Sequence, residues 1–273
     1  MRKKSLSKSI ILTLIVVLGM FVLGGCGDKD VADKNKDPNA ALKDRGSVVM
    51  GLDDTFAPMG FRDENNEIVG FDVDLANEVF KRIGIEVKFQ QIDWTMKETE
   101  LKSGNIDVIW NGYTITDERK AKGVAFTQPY LENRQWVITL ADSTINCKAD
   151  LKGKRVAIQN QSSAVDAVNA EPELVASFAG GEPVLFDTNN EAFMDLEAKR
   201  ADAVVADEVL ARYYIKLRGV EKYKVLEENF GEEEYGIGVR KDDVELLEAI
   251  DNALNELRED GTYEEIYQKW FAE

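Results

Sequence analysis

Residues 70–92 read GFDVDLANEVFKRIGIEVKFQQI, and this stretch decides the fold class. From Phe71 to Ile83 the apolar residues recur at helical spacing and fall on one face of a helix. That face consists of Leu75, Ala76, Val79, Phe80 and Ile83. Gly84 is suited to end the helix, and Ile85 to Ile92 then predicts a strand. A helix followed directly by an apolar strand predicts an α/β fold.

The same alternation continues on both sides of this stretch. Ser47–Leu52 predicts a strand before it, and Val244–Leu257 predicts a late helix followed by Gly261. Other strand-like runs are 106–110, 135–140, 155–159, 203–205 and 235–239. Strands that alternate with amphipathic helices predict parallel sheets, in which ligand sites lie in loops at the carboxyl ends of strands. The pattern gives the fold class and leaves the function open.

Composition excludes several classes of function. The 273 residues carry a formal charge of −17, which disfavours nucleic acid and anionic lipid headgroups as partners. The chain has no histidine, which excludes histidine-based acid–base chemistry and removes the commonest metal ligand. Its two cysteines cannot form a zinc cluster. We therefore expect no metal and no cofactor.

The N-terminus predicts export. Arg2, Lys3, Lys4 and Lys8 precede an apolar run from Ile10 to Leu23, as in a secretory signal peptide. The run is shorter than the roughly 20 apolar residues of a membrane span.

The run ends in Leu23-Gly24-Gly25-Cys26, which resembles a bacterial lipobox with Cys26 as the lipidated residue. The alternative is an ordinary signal peptide with a chance cysteine. We predict a signal peptide over 1–25 and a lipid anchor with a flexible tether over 26–45, because that segment is polar and almost free of large apolar residues. Cys147 would then be an unpaired thiol.

Four separated motifs resemble one protein family. They are Gly70–Leu75, Asn111–Lys120, Arg200–Asp207 and Leu257–Trp270. Together, and in this order, they resemble the polar amino-acid family of extracellular solute-binding proteins, with the type II periplasmic-binding fold. The resemblance runs from about Gly46 to the C-terminus. It implies one lobe from 46–130 and 236–273, a second lobe from 131–235, and two hinge strand crossings between them.

The resemblance implies a site for the two charged ends of an amino acid. Arg119 matches the family's clamp for the α-carboxylate, with Thr114, Ser162 and Ser163 completing that site. The acidic partner of the α-ammonium is Asp207, and the backbone carbonyl of Gly112 is a second acceptor. On residue type alone, Arg119 would also suit a solvated helix face, and Ser162 and Asp207 would suit helix N-caps.

The resemblance also implies a side-chain pocket. Phe56 and Trp94 would sandwich the ligand side chain, while Asp53, Asn111 and Gln159 offer polar contacts. Aromatic faces and a carboxylate suit a cation. The expected ligands are therefore glutamine, cystine, arginine or lysine. Core packing is the alternative for the two aromatic residues.

Two departures argue against strict glutamine specificity. Gln159 stands where glutamine-binding relatives have a lysine, and Ala206 stands where they have a histidine. Nearby, Glu232, Glu233 and Glu234 suit a solvated charge run, with Glu234 as a contact at the pocket edge.

The function implied is that of the substrate-binding component of an ABC importer for a polar amino acid. Its partners would be an ABC permease and, through the lipid anchor, the outer face of the cytoplasmic membrane, with the protein itself a monomer. One alternative is an amino-acid-sensing lipoprotein or adhesin subunit with the same pocket. A dehydratase-type enzyme on the same fold is a second, which the lack of histidine and the lipobox disfavour.

Overall fold

The structure is a computed structural model that describes residues 39–272. Strands and helices alternate along this part of the chain. The strands are β1 (Ser47–Leu52), β2 (Thr55–Phe56), β3 (Gly60–Arg62), β4 (Ile68–Val69), β5 (Glu86–Gln91), β6 (Val108–Ile109), β7 (Val124–Phe126), β8 (Leu131–Leu140), β9 (Val156–Gln159), β10 (Val184–Phe186), β11 (Ala203–Asp207), β12 (Tyr223–Tyr235) and β13 (Gly238–Arg240).

The helices lie between these strands and after the last of them. They are α1 (Ala40–Lys43), α2 (Phe71–Ile83), α3 (Lys97–Ser103), α4 (Asp117–Ala121), α5 (Ser163–Asn169), α6 (Pro172–Val175), α7 (Asn189–Glu197), α8 (Glu208–Arg218), α9 (Val244–Glu259) and α10 (Thr262–Phe271). Short 3₁₀ turns occupy Trp94–Met96, Lys148–Leu151, Ala179–Gly181 and Val220–Lys222. None of the helices within residues 39–272 combines the length and apolar character needed to cross a membrane.

The first lobe is built on a five-stranded sheet in the order β5-β1-β6-β13-β7. Strand β1 pairs in parallel with β5 and β6, while β13 pairs antiparallel with β6 and β7. Strands β2, β3 and β4 form a small antiparallel sheet beside it. Because β1, β5 and β6 run in the same direction, their carboxyl ends and the loops that follow share one edge.

The second lobe is built on another five-stranded sheet, in the order β10-β9-β11-β8-β12. Strand β9 pairs in parallel with β10 and β11, and β8 pairs antiparallel with β11 and β12. The loops after β9 and β11 therefore leave from one edge of this sheet. The α/β class and the two-lobed fold expected from the sequence are confirmed.

Two adjacent strand segments connect the lobes. The chain enters the second sheet at the start of β8 and leaves it at the end of β12. These ends pair with each other, with Leu131 opposite Tyr235 and Asn133 opposite Glu233. We call this pair of segments the hinge.

Helix α2 forms as its apolar pattern predicted. Its inner face, from Leu75 to Ile83, is at most 1% exposed at the five predicted positions. Burying apolar side chains of this size contributes about 1.5–3 kcal/mol each. Gly84 ends the helix in the left-handed conformation, with φ of 85°, and its N–H donates to the carbonyl of Phe80.

The start of the folded domain requires a correction. We assigned residues 26–45 to the anchor and tether, but Ala40–Lys43 form a helical turn and Leu42 is buried in the core. Arg45 makes a bidentate ion pair with Asp243, at 2.6 and 2.8 Å. Composition could not reveal these contacts, because their partners lie far along the chain. The predicted signal peptide, Cys26 and the rest of the tether lie outside the described residues.

Candidate functional site

The predicted site residues lie in loops and turns that follow the carboxyl ends of strands. In the first lobe, Asp53 follows β1, Trp94 follows β5, and Asn111 to Thr114 follow β6. In the second lobe, Gln159 ends β9 and Asp207 ends β11. All eleven predicted residues are buried: Asp53, Phe56, Trp94, Asn111, Gly112, Thr114, Arg119, Gln159, Ser162, Ser163 and Asp207. Polar groups buried in this way need hydrogen-bond partners or a ligand.

Hydrogen bonds between the lobes show that this region is a closed cleft. Nε2 of Gln159 donates to Oδ2 of Asp53 at 2.8 Å, and the hydroxyls of Thr114 and Ser163 are 3.0 Å apart. At the margins, Nζ of Lys97 donates to the carbonyl of Gln161 at 3.0 Å, and Tyr214 donates to the carbonyl of Thr55 at 2.8 Å. We call these four contacts the cross-lobe bonds.

Arg119 lies on the short helix α4, but its side chain does not face solvent. The residue is 4% exposed, and its guanidinium lies over the ring of Tyr113 at 4.3 Å. Nη1 donates to the carbonyl of Thr114 at 2.6 Å. Among residues 39–272, no carboxylate pairs with this guanidinium, and its Nε and Nη2 groups make no hydrogen bond. A buried, unpaired guanidinium is suited to bind a carboxylate in bidentate fashion.

The two predicted serines have different roles. Ser162 occupies the N-cap position of α5, yet its hydroxyl donates to the carbonyl of Gln159 at 2.8 Å and does not cap the helix. The Ser163 hydroxyl faces Thr114 and also lies 3.2 Å from Oε1 of Glu233. Ser163 therefore joins the polar groups of both lobes, whereas Ser162 stabilises the turn before the helix.

Asp207 occupies the N-cap position of α8 without capping it. Its Oδ1 atom accepts hydrogen bonds from Asn133 at 2.6 Å, Tyr235 at 2.7 Å and Gln135 at 3.0 Å. No Lys or Arg in the described part of the chain forms an ion pair with it. Burial, followed by the nearby charge of Glu233, raises the pKa of this carboxyl well above its usual range. The group is therefore a carboxylate that lacks a cation.

Gly112 leaves its carbonyl available. Its φ of 55° lies in the left-handed region, and a Cβ here would come within 2.8 Å of the Phe56 ring and 3.2 Å of the Tyr235 ring. The N–H donates to Oδ2 of Asp72 at 2.8 Å, while the carbonyl accepts no hydrogen bond from residues 39–272. A glycine is thus required here by both conformation and space.

The predicted side-chain pocket combines polar and aromatic groups. Asp53 accepts from Thr55 and Gln159 and pairs with no cation within residues 39–272. Asn111 accepts from the Asp53 N–H at 3.1 Å, and its Nδ2 is buried without a partner in the same range. Burial raises the pKa of Asp53.

Gln159 has most of its hydrogen-bonding capacity occupied by the protein. Its Nε2 donates to Asp53 and to the carbonyl of Asp187, and its Oε1 accepts from Asn189 at 2.8 Å. Gln159 therefore holds Asp53 in place across the cleft. Phe56 and Trp94 belong to two different apolar clusters, and Trp94 makes an edge contact with Tyr113 at 5.8 Å.

Two acidic residues of the site were not predicted from the sequence. Asp72 is fully buried and accepts from the Gly112 N–H at 2.8 Å and from the Tyr130 hydroxyl at 3.0 Å. Glu233 is half-buried inside the cleft, whereas Glu234, the residue we expected at the pocket edge, is exposed. Because side chains alternate between the two faces of a strand, Glu233 could have been predicted to lie on the same face as the apolar Tyr235.

Sequence comparison relates the chain to binding proteins of bacterial importers. Residues 48–273 match the family described as bacterial extracellular solute-binding proteins, family 3. The L-cystine-binding protein TcyJ of Escherichia coli (strain K12) is 30% identical over 264 residues, 95% of this chain and 94% of that protein. The ABC transporter arginine-binding protein 1 of the same strain is 35% identical over 230 residues, 83% of this chain and 91% of that protein.

Structural comparison gives the same relationship. A crystal structure of an ABC uptake transporter substrate binding protein from Streptococcus pneumoniae, with bound histidine, has a TM-score of 0.83 to this chain. The two are 40% identical in sequence, and the match covers 87% of this chain and 97% of the other.

Proposed function

The chain belongs to the bacterial extracellular solute-binding proteins of family 3, and from this membership we propose that its cleft captures a polar amino acid for an ABC importer. The family binds solutes for transport, so the chain is a binding protein and not an enzyme. Its partners are the amino acid and the permease of the importer.

One observation carries the proposal: each lobe brings one buried ionisable group without a counter-ion from residues 39–272 into the cleft. Arg119 comes from the first lobe and Asp207 from the second, and neither has an ion-pair partner within residues 39–272. A free amino acid has a carboxylate and an ammonium group that would compensate both charges. Thr114 and Ser163 lie beside these groups, and the Gly112 carbonyl is a further acceptor for the ammonium.

Such a ligand favours lobe closure because its contacts are divided between the lobes. Arg119 and Asp207 act on the same molecule only when the cleft is closed, so the ligand binds the closed state more tightly. The hinge supplies the movement, since within residues 39–272 only its two strand segments cross from one sheet to the other. The permease would recognise this closed form.

Within the polar amino acids, we propose a basic side chain. Asp53 offers a buried carboxylate that pairs with no cation among residues 39–272. The Phe56 N–H donates to the Asp53 carbonyl at 3.2 Å, and Phe56 and Trp94 are buried in the same lobe. Aromatic faces and a carboxylate together favour a cationic group. In the sequence comparison, the arginine-binding relative is 35% identical to this chain and the cystine-binding relative is 30% identical.

A thermal-shift screen of residues 39–273 against the common amino acids and cystine tests the function. We expect L-arginine or another basic amino acid to give the largest rise in melting temperature. A ligand at about a thousand times its dissociation constant adds about 4 kcal/mol of stability. Agmatine, which is arginine without its carboxylate, is the matched control and should give little or no shift. If no amino acid moves the transition, the proposal is wrong.

We also propose that the protein is a monomer anchored through Cys26 to the outer face of the cytoplasmic membrane. Support comes from the lipobox-like segment 23–26 and from a family that works outside the cytoplasm. Mass spectrometry of protein extracted from membranes should find residue 26 at the N-terminus with a lipid mass added. An N-terminus elsewhere, or an unmodified Cys26, would rule out the anchor.

A further inference from the structure

The side chain of Glu233 accepts more hydrogen bonds in the cleft than an exposed glutamate would accept from protein groups. It lies on β12 at the hinge, opposite Asn133 of β8. Its Oε1 atom accepts from Asn133 at 2.7 Å, Gln135 at 2.8 Å and Thr114 at 2.9 Å, and Ser163 lies at 3.2 Å. One carboxylate oxygen is therefore surrounded by donors from both lobes and from the hinge.

The same two amides hold Asp207. Nδ2 of Asn133 is 2.6 Å from Oδ1 of Asp207 and 2.7 Å from Oε1 of Glu233. Nε2 of Gln135 is 3.0 Å and 2.8 Å from the same two oxygens. Sharing two donor nitrogens places the carboxylates of Asp207 and Glu233 side by side. We call them the acid pair.

The acid pair has no positive charge to compensate it. Within residues 39–272, neither member forms an ion pair with a lysine or arginine. The other titratable group in contact with it is the Tyr235 hydroxyl, which donates to Asp207, and Tyr130 lies behind that ring. Gln135 is 1% exposed, and its Oε1 is buried without a partner in the described residues. This oxygen is therefore a further hydrogen-bond acceptor, and it belongs to the same side-chain amide whose nitrogen binds both carboxylates.

Asp207 is buried and lies beside the half-buried Glu233, and a like charge this close disfavours ionisation of a buried carboxylate, so Asp207 either holds a proton or binds a positive group. Burial and the charge of Glu233 both raise the pKa of Asp207, which agrees with its protonation when no cation is present. An ammonium group would replace that proton, because it supplies one positive charge and several N–H donors to the same oxygens.

We propose that Glu233 is the second carboxylate of the α-ammonium site, and that the ligand's ammonium group displaces a proton held by Asp207 beside Glu233. The inference rests on the proposed function and deepens it. When the ligand binds, the proton leaves to solvent and the charge of the acid pair changes from −1 to −2, next to the ammonium. Because Glu233 belongs to the hinge, the ammonium also contacts the segment about which the lobes move.

The sign of the pH dependence follows from this exchange. At low pH the ligand must displace a proton, which weakens binding. As the pH rises through the pKa of Asp207, a smaller fraction of a proton is displaced and binding strengthens, up to a plateau. Without Glu233, Asp207 has no neighbouring negative charge and ionises at lower pH, so the dependence becomes flatter.

Isothermal titration calorimetry with L-arginine, between pH 5 and pH 8, tests the inference. Titrations at pH 7.5 in phosphate and in Tris give the number of protons released, because both buffers accept protons at this pH and differ in ionisation enthalpy. For the wild type we expect release of a measurable fraction of a proton and an affinity that increases with pH. Glu233→Gln retains a carbonyl oxygen for the same donors but loses the charge. We expect it to abolish proton release and to weaken binding about tenfold at pH 8.

Glu234→Gln is the matched control, because Glu234 is the exposed neighbour on the same strand. It should bind and release protons as the wild type does. A Glu233→Gln protein with wild-type affinity and proton release would overturn the inference and leave the proposed function intact. A wild type whose binding enthalpy is the same in both buffers would overturn the proposed displacement of a proton from Asp207, and this test needs no variant. A wild type that binds neither L-arginine nor any other amino acid would overturn the proposed function itself.

Discussion

Arg119→Ala should remove nearly all binding of the amino acid ligand. The guanidinium is buried, lies over Tyr113 and lacks an ion-pair partner within residues 39–272, so the ligand carboxylate would lose its counter-ion in a closed cleft. Removing one partner of a buried, hydrogen-bonded charge pair costs about 2–5 kcal/mol. We therefore expect the dissociation constant to rise by roughly a hundredfold or more. Calorimetry measures it directly.

Two further variants separate charge from geometry. Arg119→Lys keeps the positive charge but loses the planar fork, and it should bind with intermediate affinity. Lys120→Ala removes an exposed charge from the next position of α4 and should bind as the wild type does. Thermal unfolding of each protein shows that it is folded. Normal amino acid binding by a folded Arg119→Ala protein would refute the role of this residue.

Ionisation of Asp72 should lower the free energy of unfolding of the domain as the pH rises. Burial raises the pKa of this carboxyl from 3.8 to about 7. The folded state therefore holds the proton more tightly than the unfolded state, and this contribution to stability is complete below about pH 4. It is lost progressively as the pH rises to about 7, by a total of about 4 kcal/mol.

Asp72→Asn removes this dependence while it preserves an acceptor for Gly112 and Tyr130. We expect the variant to match the wild type at about pH 4 and to exceed it in free energy of unfolding at pH 8, as measured by urea denaturation. Asp74→Asn is the control on the same helix. Asp74 accepts hydrogen bonds from Lys269 and Trp270, and we expect the gain in stability at pH 8 to be specific to Asp72→Asn. Equal slopes for the wild type and Asp72→Asn would contradict the prediction.

Elements with a strong local pattern could be predicted from the sequence, but the strand limits near the hinge could not. Helix α2 and strands β1 and β5 follow directly from apolar spacing and from Gly84. The predicted strand at 235–239 is divided in the structure, since Tyr235 ends β12 in the second sheet and Gly238 starts β13 in the first. Local hydrophobicity is similar on both sides of this crossing, so it cannot show that the chain changes sheets.

The site was only partly predictable for a similar reason. Arg119 and Asp207 were named from motifs, and both are buried at the cleft, although their contact with a ligand stays a prediction. Glu233 was taken for part of a charge run because its partners, Asn133 and Gln135, lie about a hundred residues earlier. Asp72 belongs to the first motif, but its bond to Gly112 spans 40 residues and depends on how α2 packs. Roles that arise from pairing across a sheet need the fold.

The cross-lobe bonds affect how efficiently the protein delivers its ligand to the importer. Gln159 with Asp53, and Lys97 with Gln161, join the two halves through protein groups alone. Each such bond contributes about 1 kcal/mol net, and a larger share of closed molecules raises the apparent affinity for cargo. The same bonds favour closed molecules that carry nothing, and these compete with loaded ones for the importer. Stronger cross-lobe bonds therefore raise the affinity for scarce ligand, but they also increase the fraction of ligand-free closed molecules that bind the importer without delivering anything.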